Sequence, residues 1–137
     1  MSSTGTTADR LAIRELLDRY ADGVNQRDVK IWRSVWAEKS EWNLPVVPGY
    51  ESVKGKANIV TAWEASMKLY PFVNMMCSVG NMSFTGTRCL MRSYTAEVAE
   101  MADGSVIRPR GQYDDIVVKK KGEWLFKKRS FTPLHGE

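Results

Sequence analysis

A single change of rhythm at Pro71 constrains what this chain can fold into. Before it, apolar residues return with the period of a helix; after it, they alternate as in strands. Ile13, Leu16, Leu17, Tyr20 and Val24 fall on one helical stripe, with Thr7 or Asp9 available as the cap and Gly23 and Asn25 where such a helix would stop. Asp28 is a natural start for a second, shorter helix carrying Val29, Trp32, Val35 and Trp36. A strand is expected around residues 41–44, followed by an irregular loop that Pro45 and Pro48-Gly49 impose. Gly55 precedes a third helix, in which Ile59, Val60, Trp63 and Met67 share a side and which ends before Pro71.

After Pro71, four strand-like segments are expected at 73–84, 89–101, 106–119 and 123–132. Thr85-Gly86, Asp103-Gly104 and Lys121-Gly122 separate them, and Pro133 closes the last. Helices first and a meander afterwards predict an α+β fold, with three N-terminal helices packed on one face of a curved antiparallel sheet. Such a sheet encloses a cone with an apolar interior, a natural small-molecule pocket. The 137 residues suit one domain, expected over 9–133 between tails at 1–8 and 134–137.

Composition narrows the function classes. With 43% apolar residues the chain is not disordered. No apolar run approaches the ~20 residues of a membrane helix, and the opening residues lack the charged and apolar regions of a secretion signal. Cys77 and Cys89 form no disulfide framework and read as small core residues in a reducing, cytoplasmic compartment. One histidine and no cysteine cluster argue against zinc, and no glycine-rich phosphate loop is present. The net charge is +4, and its clusters, Lys119-Lys120-Lys121 and Lys127-Lys128-Arg129, flank Gly122. They read as a solvated turn and an outward strand face, not as a nucleic-acid surface. Neither nucleic acid nor membrane is therefore an expected partner.

The segment Leu11-Ala12-Ile13-Arg14-Glu15-Leu16-Leu17-Asp18-Arg19-Tyr20-Ala21 leads into a short acidic turn and a tryptophan-bearing helix. Glu41-Trp42, Val53-Lys54-Gly55, Gly111-Gln112-Tyr113-Asp114-Asp115 and Gly122-Glu123-Trp124-Leu125-Phe126-Lys127-Lys128-Arg129 follow in order. This ordered set resembles the SnoaL-like branch of the NTF2-like superfamily, within it the hexachlorocyclohexane dehydrochlorinase and scytalone dehydratase group. The resemblance implies a cone-shaped α+β barrel, a homo-oligomer (dimer or trimer) joined through the outer sheet face, and cofactor-free lyase or isomerase chemistry on small hydrophobic or cyclic substrates. It also implies an Asp–His pair as base. Here the aspartate position falls on Asn25 and the histidine position near Met75, so both members of that pair are missing. The final-strand arginine matches as Arg129, and Trp42 and Tyr113 fall at pocket positions.

Without that pair, the chemistry is left to phenols, carboxylates and the guanidinium. Tyr20 is either a core tyrosine with a satisfied hydroxyl or a phenol donating to substrate, supported by Asn25. Tyr113 shares a strand face with Gly111, which leaves room for a ligand or a close backbone approach, and with Asp115. Arg129 shares a face with Phe131 and can pair with Asp115, as a structural bridge or to aim a cation at an oxyanion. Glu97 is the replacement base if its side of the strand faces inward; otherwise it is an exposed glutamate. Trp32, Trp36 and Trp63 suit helix-to-sheet packing. His135 is either a solvated tail residue or part of a tail folded over the pocket mouth.

The resemblance, together with these phenols and the arginine, implies a cofactor-independent lyase for a small hydrophobic, aromatic or cyclic oxygen-bearing substrate. Tyr20, Asn25, Tyr113, Arg129 and Glu97 are the catalytic candidates; Trp42, Met75, Asp115 and Phe131 are the substrate-binding ones. Elimination, dehydration and aldol-type carbon–carbon cleavage all suit such a site. An isomerase working through an enol, or a ligand-binding protein without catalysis, are the alternatives.

Overall fold

The computed structural model describes residues 2, 3 and 5–136. Three helices, α1 (Thr7–Asn25), α2 (Val29–Ser34) and α3 (Lys56–Met67), pack on a strongly bent sheet. Its strands are β1 (Ser2–Ser3), β2 (Trp36–Asn43), β3 (Val53–Lys54), β4 (Phe72–Thr85), β5 (Arg88–Glu100), β6 (Val106–Ile107), β7 (Arg110–Lys120) and β8 (Glu123–His135). The order in the sheet is β1-β4-β5-β7-β8-β2-β3, with β6 beside β5. This is the expected α+β cone, with one difference. The sheet is mixed, because β2 runs parallel to β8 and so places Trp42 opposite Arg129.

The expected α1 stripe is buried throughout. Its cap is neither Thr7 nor Asp9 but Thr6, whose hydroxyl accepts from the Asp9 N–H at 2.9 Å. Asp9 is thereby free to accept from the Trp124 indole at 2.9 Å, tying the helix to β8. Asp28 caps α2 as expected. A Cβ at Gly23 would lie 2.8 Å from the Trp32 backbone nitrogen, so α1 and α2 touch at a glycine. Trp36 belongs to β2 rather than to the second helix. The expected strand at 41–44 therefore begins earlier, at Trp36.

The long strand expected over 106–119 is broken at Arg108-Pro109 into β6 and β7, while β8 runs past Pro133 to His135. Pro133 faces Gly111 in the ladder. The expected tails 1–8 and 134–137 fall partly outside the described residues. Within these residues, Ser2 and Ser3 pair with Thr85 and Phe84, and His135 pairs with Arg110. Of the second basic cluster only Lys127 and Lys128 are partly exposed; Arg129 is fully buried, which corrects the reading of that whole run as an outward face.

One end of the cone is filled by aromatic rings. Trp32 stacks on Trp63 at 4.6 Å and 8°, and Tyr20, Trp36 and Phe126 close around them. Burying each such ring against water contributes about 1.5–3 kcal/mol. No described helix is long and apolar enough to cross a membrane.

Candidate active site

The inward face of β5 carries Cys89, Met91, Ser93 and Thr95, all buried, and the alternation places Glu97 on the same side. On β7 the inward residues are Gly111, Tyr113, Asp115 and Val117. These strands, the helices and the loop after β2 enclose a cavity of about 270 Å³. Six of the expected residues line it: Tyr20, Trp42, Met75, Glu97, Tyr113 and Phe131. Val24, Leu44, Val47, Trp63, Met67, Val73 and Ile107 make the rest of its wall predominantly apolar.

Three expected residues do not reach it. Asn25, at the end of α1, accepts from the Met75 N–H at 2.7 Å and donates to the Met75 carbonyl at 2.9 Å. Its amide thus serves both backbone groups of one residue on β4, which a carboxylate could not do, since it only accepts. Asn25 is a clamp, not a substrate contact. Arg129 and Asp115 form a cross-strand pair in ladder register, bonded Nε to Oδ1 at 2.7 Å, with side chains completely buried. The Ser93 hydroxyl donates to Asp115 at 2.7 Å and accepts from Arg129 Nη2 at 2.8 Å.

Arg129 lies behind the cavity floor. Its guanidinium carbon sits 3.8 Å from the centroid of Tyr113, 4.4 Å from Tyr20 and 4.5 Å from Phe126. Its Nη1 finds no hydrogen-bond partner, so the ring faces take the place of an acceptor. Burial works against its charge, but the Asp115 carboxylate and the two phenols outweigh that and hold it protonated. Arg129 therefore acts on the cavity through the phenols in front of it.

Tyr113 is the polar centre of the floor. Its hydroxyl accepts from the Trp42 indole at 3.1 Å. The Tyr20 ring packs edge-on against Tyr113, with centroids 6.5 Å apart. The Trp42 indole takes one lone pair of the Tyr113 oxygen, which leaves the phenol's own proton to point at a guest. Tyr20 is buried in the core and also lines the cavity. Burial pushes both phenols up, so they remain protonated donors.

Glu97 is the cavity's carboxylate. Among the described residues its side chain has no hydrogen-bond or ion-pair partner, and burial raises its pKa. Tyr70, in the link between α3 and β4, also lines the cavity without a partner for its hydroxyl. The sequence reading missed it, because a lone tyrosine before Pro71 belongs to neither periodic pattern. Gly111 proves to be a close approach rather than ligand space: a Cβ there would collide with the Phe131 ring and lie 2.9 Å from Thr95 Oγ1. His135, the sole histidine, is exposed at the end of β8 and lies outside the cavity lining. Burial raises Cys77 and Cys89 to about 11, which removes them as nucleophiles at neutral pH. Among the described residues no group of three His, Cys, Asp or Glu side chains is placed to hold a metal ion.

Comparison with known proteins places this geometry in a family. The profile of the SnoaL-like domain matches residues 5–130. No curated protein matches the sequence. Similar solved structures include a candidate scytalone dehydratase from Novosphingobium aromaticivorans, at 19% identity over 95% of this chain and 87% of that one, TM-score 0.84. The LinA-type3 hexachlorocyclohexane dehydrochlorinase from Novosphingobium barchaimii aligns at 17% identity over 95% and 89%, TM-score 0.84. A candidate aromatic ring hydroxylase, also from Novosphingobium aromaticivorans, aligns at 22% over 97% and 96%, TM-score 0.82. At such identities the likeness is one of fold, and the activities these proteins are named for differ among themselves. With an NTF2-like cone matched across nearly its whole length, the chain belongs to the SnoaL-like domain family.

Proposed function

We propose that this protein is a cofactor-independent lyase that eliminates water or another group, or cleaves an aldol-type bond, in a small aromatic or cyclic carbonyl compound. The observation that carries the reading is Glu97, an unpartnered carboxylate in the same apolar cavity as the Tyr113 phenol, whose oxygen accepts from the Trp42 indole. An apolar cavity of 150 Å³ holds benzene, so about 270 Å³ suits a substituted single ring or a small fused pair. The Tyr113 hydroxyl donates to the substrate carbonyl. Glu97 removes the proton from the adjacent carbon, its raised pKa making it a stronger base than an exposed carboxylate. Charge collects on the carbonyl oxygen beside Tyr113, with the Arg129 guanidinium behind the ring, and flows back as the group on the next carbon departs.

The aldol of benzaldehyde and acetone tests this, since dehydration gives benzylideneacetone and cleavage gives benzaldehyde. Turnover without added cofactor, reduced about 100-fold or more in Glu97→Gln, is expected. A panel of such β-hydroxy ketones returned unchanged, while still binding, would make the protein a ligand carrier. Double-bond migration in place of either product would make it an isomerase. We also propose a homo-oligomer assembled through the outer sheet face, where Met76, Leu90 and Leu134 are 69%, 55% and 54% exposed. A monomer in sedimentation at micromolar concentration removes that proposal.

A further inference from the structure

We propose that Tyr70 is a second catalytic group, the general acid that protonates the departing oxygen opposite Glu97. This rests on the lyase reading above and adds a role that neither the ordered motifs nor the family match assigns. Three observations carry it. Tyr70 lines the cavity that holds Glu97 and Tyr113. Its hydroxyl has no partner among the described residues, whereas Tyr50 donates to the Ala62 carbonyl at 3.1 Å and Tyr113 accepts from the Trp42 indole at 3.1 Å. Buried or half-buried phenols ordinarily find a partner, so a free one beside a free carboxylate marks two groups left for a guest. Third, Tyr70 is within electrostatic reach of Glu97, and burial and that carboxylate both favour its protonated, donating form.

The two phenols then have separate tasks. Tyr113 is held by the Trp42 indole and stays beside the carbonyl oxygen throughout. The Tyr70 ring packs against the core and its backbone N–H donates to the Met67 carbonyl at 3.2 Å, while its hydroxyl, bonded to no described residue, can follow a leaving group. In a β-hydroxy ketone, Glu97 takes the proton on the carbon next to the carbonyl, and the electron pair of that bond becomes the new carbon–carbon double bond. The carbon–oxygen bond breaks with its pair going to oxygen, which takes the Tyr70 proton and leaves as water. The proton now on Glu97 returns to the Tyr70 phenolate, directly or through the released water, and both groups are restored. The ligand class follows: an uncharged β-hydroxy carbonyl compound, since the carboxylate in the cavity repels a second anion and the buried cation is already paired with Asp115.

The test compares leaving groups. The wild-type protein and Tyr70→Phe are assayed on the benzaldehyde–acetone aldol and on its β-chloro analogue, both of which form benzylideneacetone; chloride departs without needing a proton. The expected result is a loss of about 100-fold on the hydroxy ketone that exceeds the loss on the chloro ketone by at least tenfold. Equal losses on the two substrates, or no loss on the hydroxy ketone, overturn the acid role while the lyase reading stands, provided Glu97→Gln is impaired on both. Turnover of neither substrate by the wild-type protein overturns both proposals together. Phenylalanine keeps the ring that packs against the core, and a circular-dichroism melt of the variant verifies that it is folded.

Discussion

Asp115 and Glu97 are carboxylates on the inward faces of neighbouring strands, yet the protein treats them in opposite ways. Asp115 is bonded by Arg129 and Ser93 and walled off by aromatic rings. Glu97, on the other side of Tyr113, faces an apolar void with nothing to bond. The closed end of the cone pairs its ions, although the Trp32 and Trp36 indoles, Thr95 Oγ1 and Arg129 Nη1 have no hydrogen-bond partner among the described residues; the open end leaves a carboxylate and a phenol facing a void. Leaving a buried acceptor without a donor costs about 1–3 kcal/mol, so the open end is where a hydrogen-bonding guest gains most. Sequence pattern offers Asp115 a partner in Arg129 but leaves open whether Glu97 faces inward at all.

That contrast can be broken at several points. The largest effect is expected from Asp115→Ala, which strands a fully buried guanidinium. Breaking such a pair costs about 3–5 kcal/mol, readable as a lower urea midpoint. Next is Gly111→Ala, at the boundary between the two ends. The new methyl forces the Phe131 ring to move, for about 1–3 kcal/mol of overpacking. Because Phe131 lines the cavity, binding of an aryl ketone, followed by tryptophan fluorescence, weakens in the same variant. The smallest effect concerns stability at Glu97, and its sign is the informative part. A carboxyl whose pKa is raised by folding gives stability below the ordinary value of 4.5 and loses it as pH rises through the raised value. Glu97→Gln should therefore melt above the wild type at neutral pH and converge with it below about pH 4.5. A variant that melts lower at pH 7 would mean that the ionised Glu97 is held by a partner, and the contrast with Asp115 would vanish.

Much of this was legible in the residues, and the failures have particular causes. The α1 stripe, the Asp28 cap and the turns at Gly86, Gly104 and Gly122 follow from local periodicity and backbone freedom, and the fold reproduces them. Trp36 misled because a residue one turn after Trp32 fits a helix stripe, although the helix stops at Ser34 and pairing with β8 claims Trp36 for a strand. The inward face of β5 could not be read because polar Ser93 and Thr95 point inside while Ala96 and Val98 lie on the opposite, half-exposed side. Asn25 looked like a base that had been lost; its amide became intelligible only once Met75 stood beside it offering both an N–H and a carbonyl. The Asp115–Arg129 pair was foreseen, but its depth was not. Three rings that converge on a cation are contributed by α1, β7 and β8, far apart along the chain.

The two thiols have a practical use. Both titrate near 11 against an ordinary 9.0. At neutral pH each thus exposes about a hundredfold less thiolate than a free cysteine does. A maleimide dye would pass them by. Leu69, 60% exposed next to Tyr70, can then be exchanged for a single reactive cysteine, giving a fluorescent reporter of guest entry in an otherwise native background.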